Sequence, residues 1–283
     1  MIERRPILDL LSHLVLVLGV LIVAFPVYIA LVASTQTAEQ AAAAPMSLLP
    51  GSHLLDNYTA VLSKGASGNI AMPPVGRMMW VSLVSALIIA FGKISISMLS
   101  AFAFVYFRFR GSALFFWMIF VTLMLPVEVR ITPTYQVVSD LGMINTYAGL
   151  TIPLIASATA TFLFRQFFLT MPEELTEAAR IDGAGPMRFF RDILWPLSRT
   201  NLLALFVIMF IYGWNQYLWP LLVANEQEMY PIGIGIKSMI AGGDAAVEWN
   251  MVMATLVLAM LPPGLIVVLM QKWFIKGLVD SEK

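Results

Sequence analysis

LVLVLGVLIVAFPVYIALVA, residues 14–33, is a run of twenty residues without a charge. At about 1.5 Å of helical rise per residue such a run covers about 30 Å, the hydrocarbon thickness of a bilayer. The apolar core of a signal peptide is shorter, roughly 7–15 residues. The run therefore reads as a retained first span, although Glu3-Arg4-Arg5 ahead of it and Ala33-Ser34 at its end have the layout of a cleavable leader. The rest of the chain agrees with a lipid environment: 59% of its 283 residues are hydrophobic and 12% are charged, against roughly 45–50% and 25% in soluble domains.

Working outward from that run, five more stretches have span-like length and composition. With the first they cover approximately residues 10–33, 78–104, 111–127, 146–166, 201–223 and 249–271. The third is the weakest, since its uncharged part ends at Val127, so it must be short or continue as helix beyond Glu128. The expected fold class is an all-α membrane protein with six transmembrane helices in a single domain, 1–283. Six crossings put both termini on one side. That side would carry Arg4, Arg5, Arg108, Arg110, Arg165, Arg180, Arg188, Arg191, Arg199, Lys272, Lys276 and Lys283, whereas the other keeps only Lys64, Arg77, Arg130 and Lys237. Cytoplasmic loops retain Lys and Arg, so both termini are expected in the cytoplasm. The opposite-side loop 35–76, rich in Ala, Pro and Gly, reads as irregular surface.

Composition also excludes chemistry. Net charge is zero, which gives no reason to expect nucleic acid as a partner. Cysteine is absent and the only histidines are His13 and His53, so disulfides, thiol nucleophiles, thiolate metal sites and His-rich metal clusters are ruled out.

One window breaks the apolar pattern. EELTEAARIDGAGPMRFFRD, residues 173–192, holds eight charges and falls between the fourth and fifth spans, on the expected cytoplasmic side. Thr170 followed by Glu173 has capping-box spacing, Pro172 suits a first turn, and Glu173 and Glu174 suit the positive end of a helix. Gly183 is placed for a left-handed C-cap, and Pro186 can open a second helix that ends near Trp195-Pro196. The expectation for 168–200 is helix, tight turn, helix. A surface-lying amphipathic helix would pair large apolar residues with a Lys/Arg-rich face. Ala178, Ala179 and acidic neighbours fit close docking to a protein better.

Glu177-Ala178-Ala179, then Gly183, Ile193 and Pro196, resembles the EAA loop of permease subunits in bacterial ATP-binding-cassette importers. The resemblance implies the type I importer permease fold, with a cytoplasmic coupling helix whose Glu177, Ala178, Ala179, Asp182 and Gly183 dock on the ATPase. Trp195 departs from the family, which often has Leu before the final Pro. Asn215, Trp219-Pro220 and the closing Lys276-Gly277-Leu278-Val279-Asp280 look like the carbohydrate-importer, maltose-type branch. Longer stretches, among them FFWMIFVTLMLPVEVRI (115–131), FIYGWNQYLWPLL (210–222) and GLVDSEK (277–283), resemble its permeases for sn-glycerol 3-phosphate. The implied cargo is sn-glycerol 3-phosphate, with glycerophosphodiesters an open extension and another sugar or polyol the alternative. The implied partners are a homologous second permease, two ATPase subunits that hold ATP and magnesium, a periplasmic binding protein and the inner membrane. No cofactor would be bound by this chain.

Inside the membrane, Lys93 is the sharpest feature, because a charge at mid-span costs at least about 2.5–3.5 kcal/mol. Its helical neighbours Ser82, Ala86, Ala90, Ser97 and Ala101 form a small, polar stripe, so Lys93 is expected to point inward. It could help a phosphate pass; a structural ion pair or snorkelling is the competing reading. Glu128 and Arg130, just beyond the third span, are the other candidates for the substrate path, against simple solvation. Pro126, Pro153 and Pro262-Pro263 are expected to interrupt helices. The eighteen methionines read as packing filler.

A self-powered transporter would need the phosphate-cradling GxxxxGK[ST] loop. Gly92-Lys93 is followed by Ile94 and has Leu87 where the first glycine belongs, so energy must come from another subunit. An intramembrane lipid-phosphate enzyme would need a base or activated nucleophile, and a proton-coupled transporter a mid-membrane acid or histidine. No span offers either.

Overall fold

The computed structural model describes residues 6–63, 72–122, 127–241 and 247–279, and among these every regular element is helical. In chain order they are α1 (Pro6–Ala33), α2 (Ala38–Ala42), α3 (Leu54–Ser63), α4 (Val75–Tyr106), α5 (Ser112–Val121), α6 (Val127–Asp140) and α7 (Tyr147–Thr151). There follow α8 (Ala158–Leu169), α9 (Glu173–Ile181), α10 (Pro186–Phe189), α11 (Trp195–Leu197), α12 (Arg199–Trp214), α13 (Leu218–Val223), α14 (Ile232–Ile240) and α15 (Trp249–Val279).

Among the described residues three helices, within α1, α4 and α15, are long and apolar enough to cross a bilayer. Two bent pairs raise the number to five if each crosses as one unit: 147–154 with α8, bent by 48°, and 186–197 with α12, bent by 74°. The short α5 stops at Val121, and α6 carries helix past Glu128 to Asp140. Pro126 lies outside the described residues. Pro153 sits in the 3₁₀ turn Ile152–Leu154 at the first bend. Pro262 and Pro263, by contrast, do not interrupt α15, which runs through both. Each removes one donor, for the carbonyls of Leu258 and Ala259, and the surrounding turns hold the helix together.

The chain forms two compact units, Met1–Arg77 with Gly235–Leu261, and Met78–Ile234 with Pro262–Lys283. In the first, α1 exposes Leu16, Val20, Ile22 and Val23, as lipid-facing side chains should be. The segment after it is mostly exposed, as its composition suggests, but it carries α2 and α3 and is tied down by buried polar side chains. Gln36 is buried, and its Nε2 donates to the carbonyls of Ser47 (2.9 Å) and Leu49 (3.0 Å). Buried Asn57 donates to the carbonyls of Ser34 and Gln36, both at 2.9 Å, and accepts from Asn250 Nδ2 at 3.1 Å. Gly51 lies so close under Thr35 that a Cβ would strike its carbonyl oxygen. Side-chain amides order this segment, which hydropathy alone does not reveal.

In the second unit the small stripe of α4 is the packing face: Ser82, Ala86, Ala90, Lys93, Ser97 and Ala101 are all buried. A Cβ on Gly213 would lie 2.9 Å from Ala86 Cα, so α4 and α12 meet at backbone distance, as small residues permit between membrane helices. Ser82 Oγ accepts from Ile232 N (2.8 Å), and Ser97 Oγ donates to the Ser157 carbonyl (3.1 Å). A core of Val81, Val138, Leu150, Trp219 and Val223 is pinned by Trp219 Nε1 donating to the Gly149 carbonyl at 2.9 Å.

Candidate functional site

The charged segment begins differently from the capping-box expectation. Thr170 closes α8, with its hydroxyl donating back to the Phe167 carbonyl (2.7 Å), and α9 starts after Pro172 without a side-chain cap. A Thr that ends one helix cannot also adopt the extended N-cap geometry of the next. Glu173 and Glu174 still occupy the first turn, where the helix dipole favours acids.

The far end is a Schellman turn: Ala184 N donates to the Ala179 carbonyl (2.8 Å), Gly183 N to the Arg180 carbonyl (3.1 Å), and Gly183 has φ +69°. Pro186 then opens α10, which passes through a π-helical turn, Phe190–Leu194, into α11. Glu177, Ala178, Asp182 and Gly183 are exposed on and after α9. Ala179 is not: it is 5% exposed and belongs to the chain's own packing. Its small side chain lets α9 sit close to its own fold, whereas Ala178 keeps the outer face smooth. Ile181, 85% exposed, and Met187, 64% exposed, flank the turn; large apolar residues beside a flat charged surface are anchors a protein partner could cover. Arg191 Nε donates to Asp192 at 2.7 Å and holds that carboxyl below its usual range, with Arg188 Nε 3.6 Å from its other oxygen.

Behind this surface lies an aromatic cluster. Phe190 meets Phe102 (ring centroids 5.0 Å) and Phe189 meets Tyr106 edge to face (5.2 Å), tying the charged segment to the end of α4. Tyr106 in turn meets Phe168 of α8 at 6.2 Å. Such pairs add about 0.5–1.5 kcal/mol beyond burial.

Lys93 lies thirteen residues back along α4 from Tyr106, about 20 Å by helical rise. It is 6% exposed, and its ammonium lies over the Tyr212 ring, 3.5 Å from the centroid. Among the described residues it has no carboxylate partner. Exposed Arg130 on α6 is near enough for its charge to act on Lys93. The side chain of Glu128 lies outside the described residues. Tyr212 escaped sequence reasoning because its partner is 119 positions away, beyond any helical period; Ile181 and Met187 were readable as apolar residues in a charged window. Among the described residues no three of His, Cys, Asp and Glu come together as a metal site.

Residues 93–280, from Lys93 through the charged segment to the last helix, match the family described as binding-protein-dependent transport system inner membrane component. The chain belongs to this family. Over all 283 residues, and all of each relative, it is 61% identical to the sn-glycerol-3-phosphate transport system permease protein UgpE of Brucella melitensis and 62% identical to that of Agrobacterium fabrum. The protein of that name in Escherichia coli is 59% identical over the same length. A chain in the crystal structure of a bacterial transporter that imports the acidic polysaccharide alginate superposes with a TM-score of 0.77, covering 97% of this chain and 99% of that one. At 21% identity this likeness speaks for the fold, and the chain has the helical permease fold of such transporters. A family member of this kind is a non-catalytic membrane subunit that works with a partner permease, an ATPase and a binding protein.

Proposed function

We propose that the chain is one of two permease subunits in an ATP-driven importer and forms half of the path by which sn-glycerol 3-phosphate crosses the inner membrane. The observation that carries this reading is the 59–62% identity, over full length, to relatives bearing that name. The chain crosses six times, by the six apolar stretches, with both termini in the cytoplasm, by the distribution of Lys and Arg. A periplasmic binding protein delivers cargo, ATP with magnesium closes the ATPase pair, and the chain alternates its access.

The charged segment is the dock for the ATPase, with Glu177, Ala178, Asp182 and Gly183 as its contact face, Ile181 and Met187 as anchors, and Ala179 as the inner spacer. The aromatic cluster behind it supports this role, since a push on α9 and α10 reaches α4 through packed rings. Lys93 and Arg130 serve the cargo's phosphate: a buried ammonium that has no carboxylate partner among the described residues is a partner for an anion. Glu177→Lys is expected to insert in the membrane at normal level, to lose copurification with the ATPase and to abolish uptake. Normal transport by that variant would overturn the docking assignment.

A further inference from the structure

If Lys93 meets the cargo's phosphate, as proposed above, its ammonium still needs a partner when no cargo is present, because an unpaired buried charge is costly. Tyr212 supplies one. The ring face lies 3.5 Å from Nζ, and a ring face attracts a cation through its quadrupole. Tyr212 as a residue is 37% exposed while Lys93 is only 6% exposed, so Tyr212 covers the ammonium yet can itself be reached. Its neighbour Gly213 presses on Ala86 of α4 at backbone distance. The seam that holds the ring over Lys93 is therefore closely packed, and it joins the charged segment through the 74° bend ahead of α12.

The geometry points to Tyr212 as a specificity-determining residue: its ring is the stand-in partner of Lys93, and a phosphate monoester must displace it. A charge-assisted bond from ammonium to phosphate is stronger than a cation–π contact, so a phosphate succeeds. A neutral polyol offers only hydroxyls and leaves the pair closed. Arg130, whose charge acts on Lys93, adds to the field that draws the anion. Tyr212 thus sets a threshold that anionic cargo passes and neutral cargo does not.

The test uses the whole complex in proteoliposomes, with ATP hydrolysis read against the concentration of binding protein, either loaded with sn-glycerol 3-phosphate or empty. Position 212 is changed to Phe and then to phenylalanines of increasing fluorination, which keep the ring's shape and weaken its hold on a cation. The concentration of loaded binding protein giving half-maximal hydrolysis should fall stepwise, by about 2- to 30-fold overall. The response to empty binding protein should not move, and a Lys93→Gln background should erase the steps. Equal shifts with loaded and empty binding protein would mean that the ring only steadies the resting state, which overturns the proposal. A flat fluorination series beside impaired uptake in Lys93→Gln would remove Tyr212 and leave Lys93 standing. Normal uptake in Lys93→Gln would remove both.

Discussion

Gly183 and Ala179 show how single residues divide the labour of a docking surface. At Gly183 nothing lies within 4 Å of where a Cβ would be, so space does not demand glycine; its φ of +69° does. Left-handed backbone costs an ordinary L-residue roughly 1–2 kcal/mol, while Asn bears it better. Gly183→Ala is therefore expected to lower the melting temperature of the purified complex and weaken ATPase retention, with Gly183→Asn intermediate between it and the wild type. If Ala and Asn behave alike, backbone strain is not the reason for glycine. Ala179 stands for the other half of the task. The EAA pattern announces two alanines, but only one faces outward, and no local rule says which, since the face that is buried depends on the rest of the fold.

Helices meet here through gaps left by small residues. A Cβ on Gly213 would lie 2.9 Å from Ala86 Cα and 3.3 Å from its carbonyl oxygen, and backbone atoms inside two packed helices cannot turn aside. Gly213→Ala is expected to force α12 off α4 at a cost of about 1–3 kcal/mol, seen as a lower melting temperature. Uptake should fall further than stability alone explains, because the Lys93–Tyr212 contact lies on the same seam. Unchanged melting would show that the two helices can slide. The stripe that makes this seam, from Ser82 to Ala101, was readable as a helical period of small residues, and α1, α4 and α15 were readable from length and hydropathy. The ordered segment behind α1 was not, because Gln36 and Asn57 act through amide bonds to backbone carbonyls that hydropathy does not report. Nor was the loss of the capping box, where two helices compete for Thr170 and the earlier one takes it.

At the scale of the whole molecule the open quantity is the number and sense of the crossings. Between the segment after α1 and the charged segment lie three proposed crossings: α4, the short α5 together with α6, and the bent pair that ends in α8. Three is odd, so the two segments belong on opposite sides. The weakest member is the middle one, since α5 has ten residues and a full crossing needs about twenty. The chain contains no cysteine, so one introduced thiol is the only one it has. Leu55 is 74% exposed on α3, and Glu173 is exposed at the start of α9. A membrane-impermeant maleimide added to right-side-out vesicles should label Leu55→Cys and spare Glu173→Cys, and inverted vesicles should reverse the pattern. The opposite result would invert the topology. Labelling of both positions from one side would mean an even number of crossings between them, and the helix that fails to cross would then be α5 with α6, which carries Arg130 and so would take Arg130 out of the proposed path.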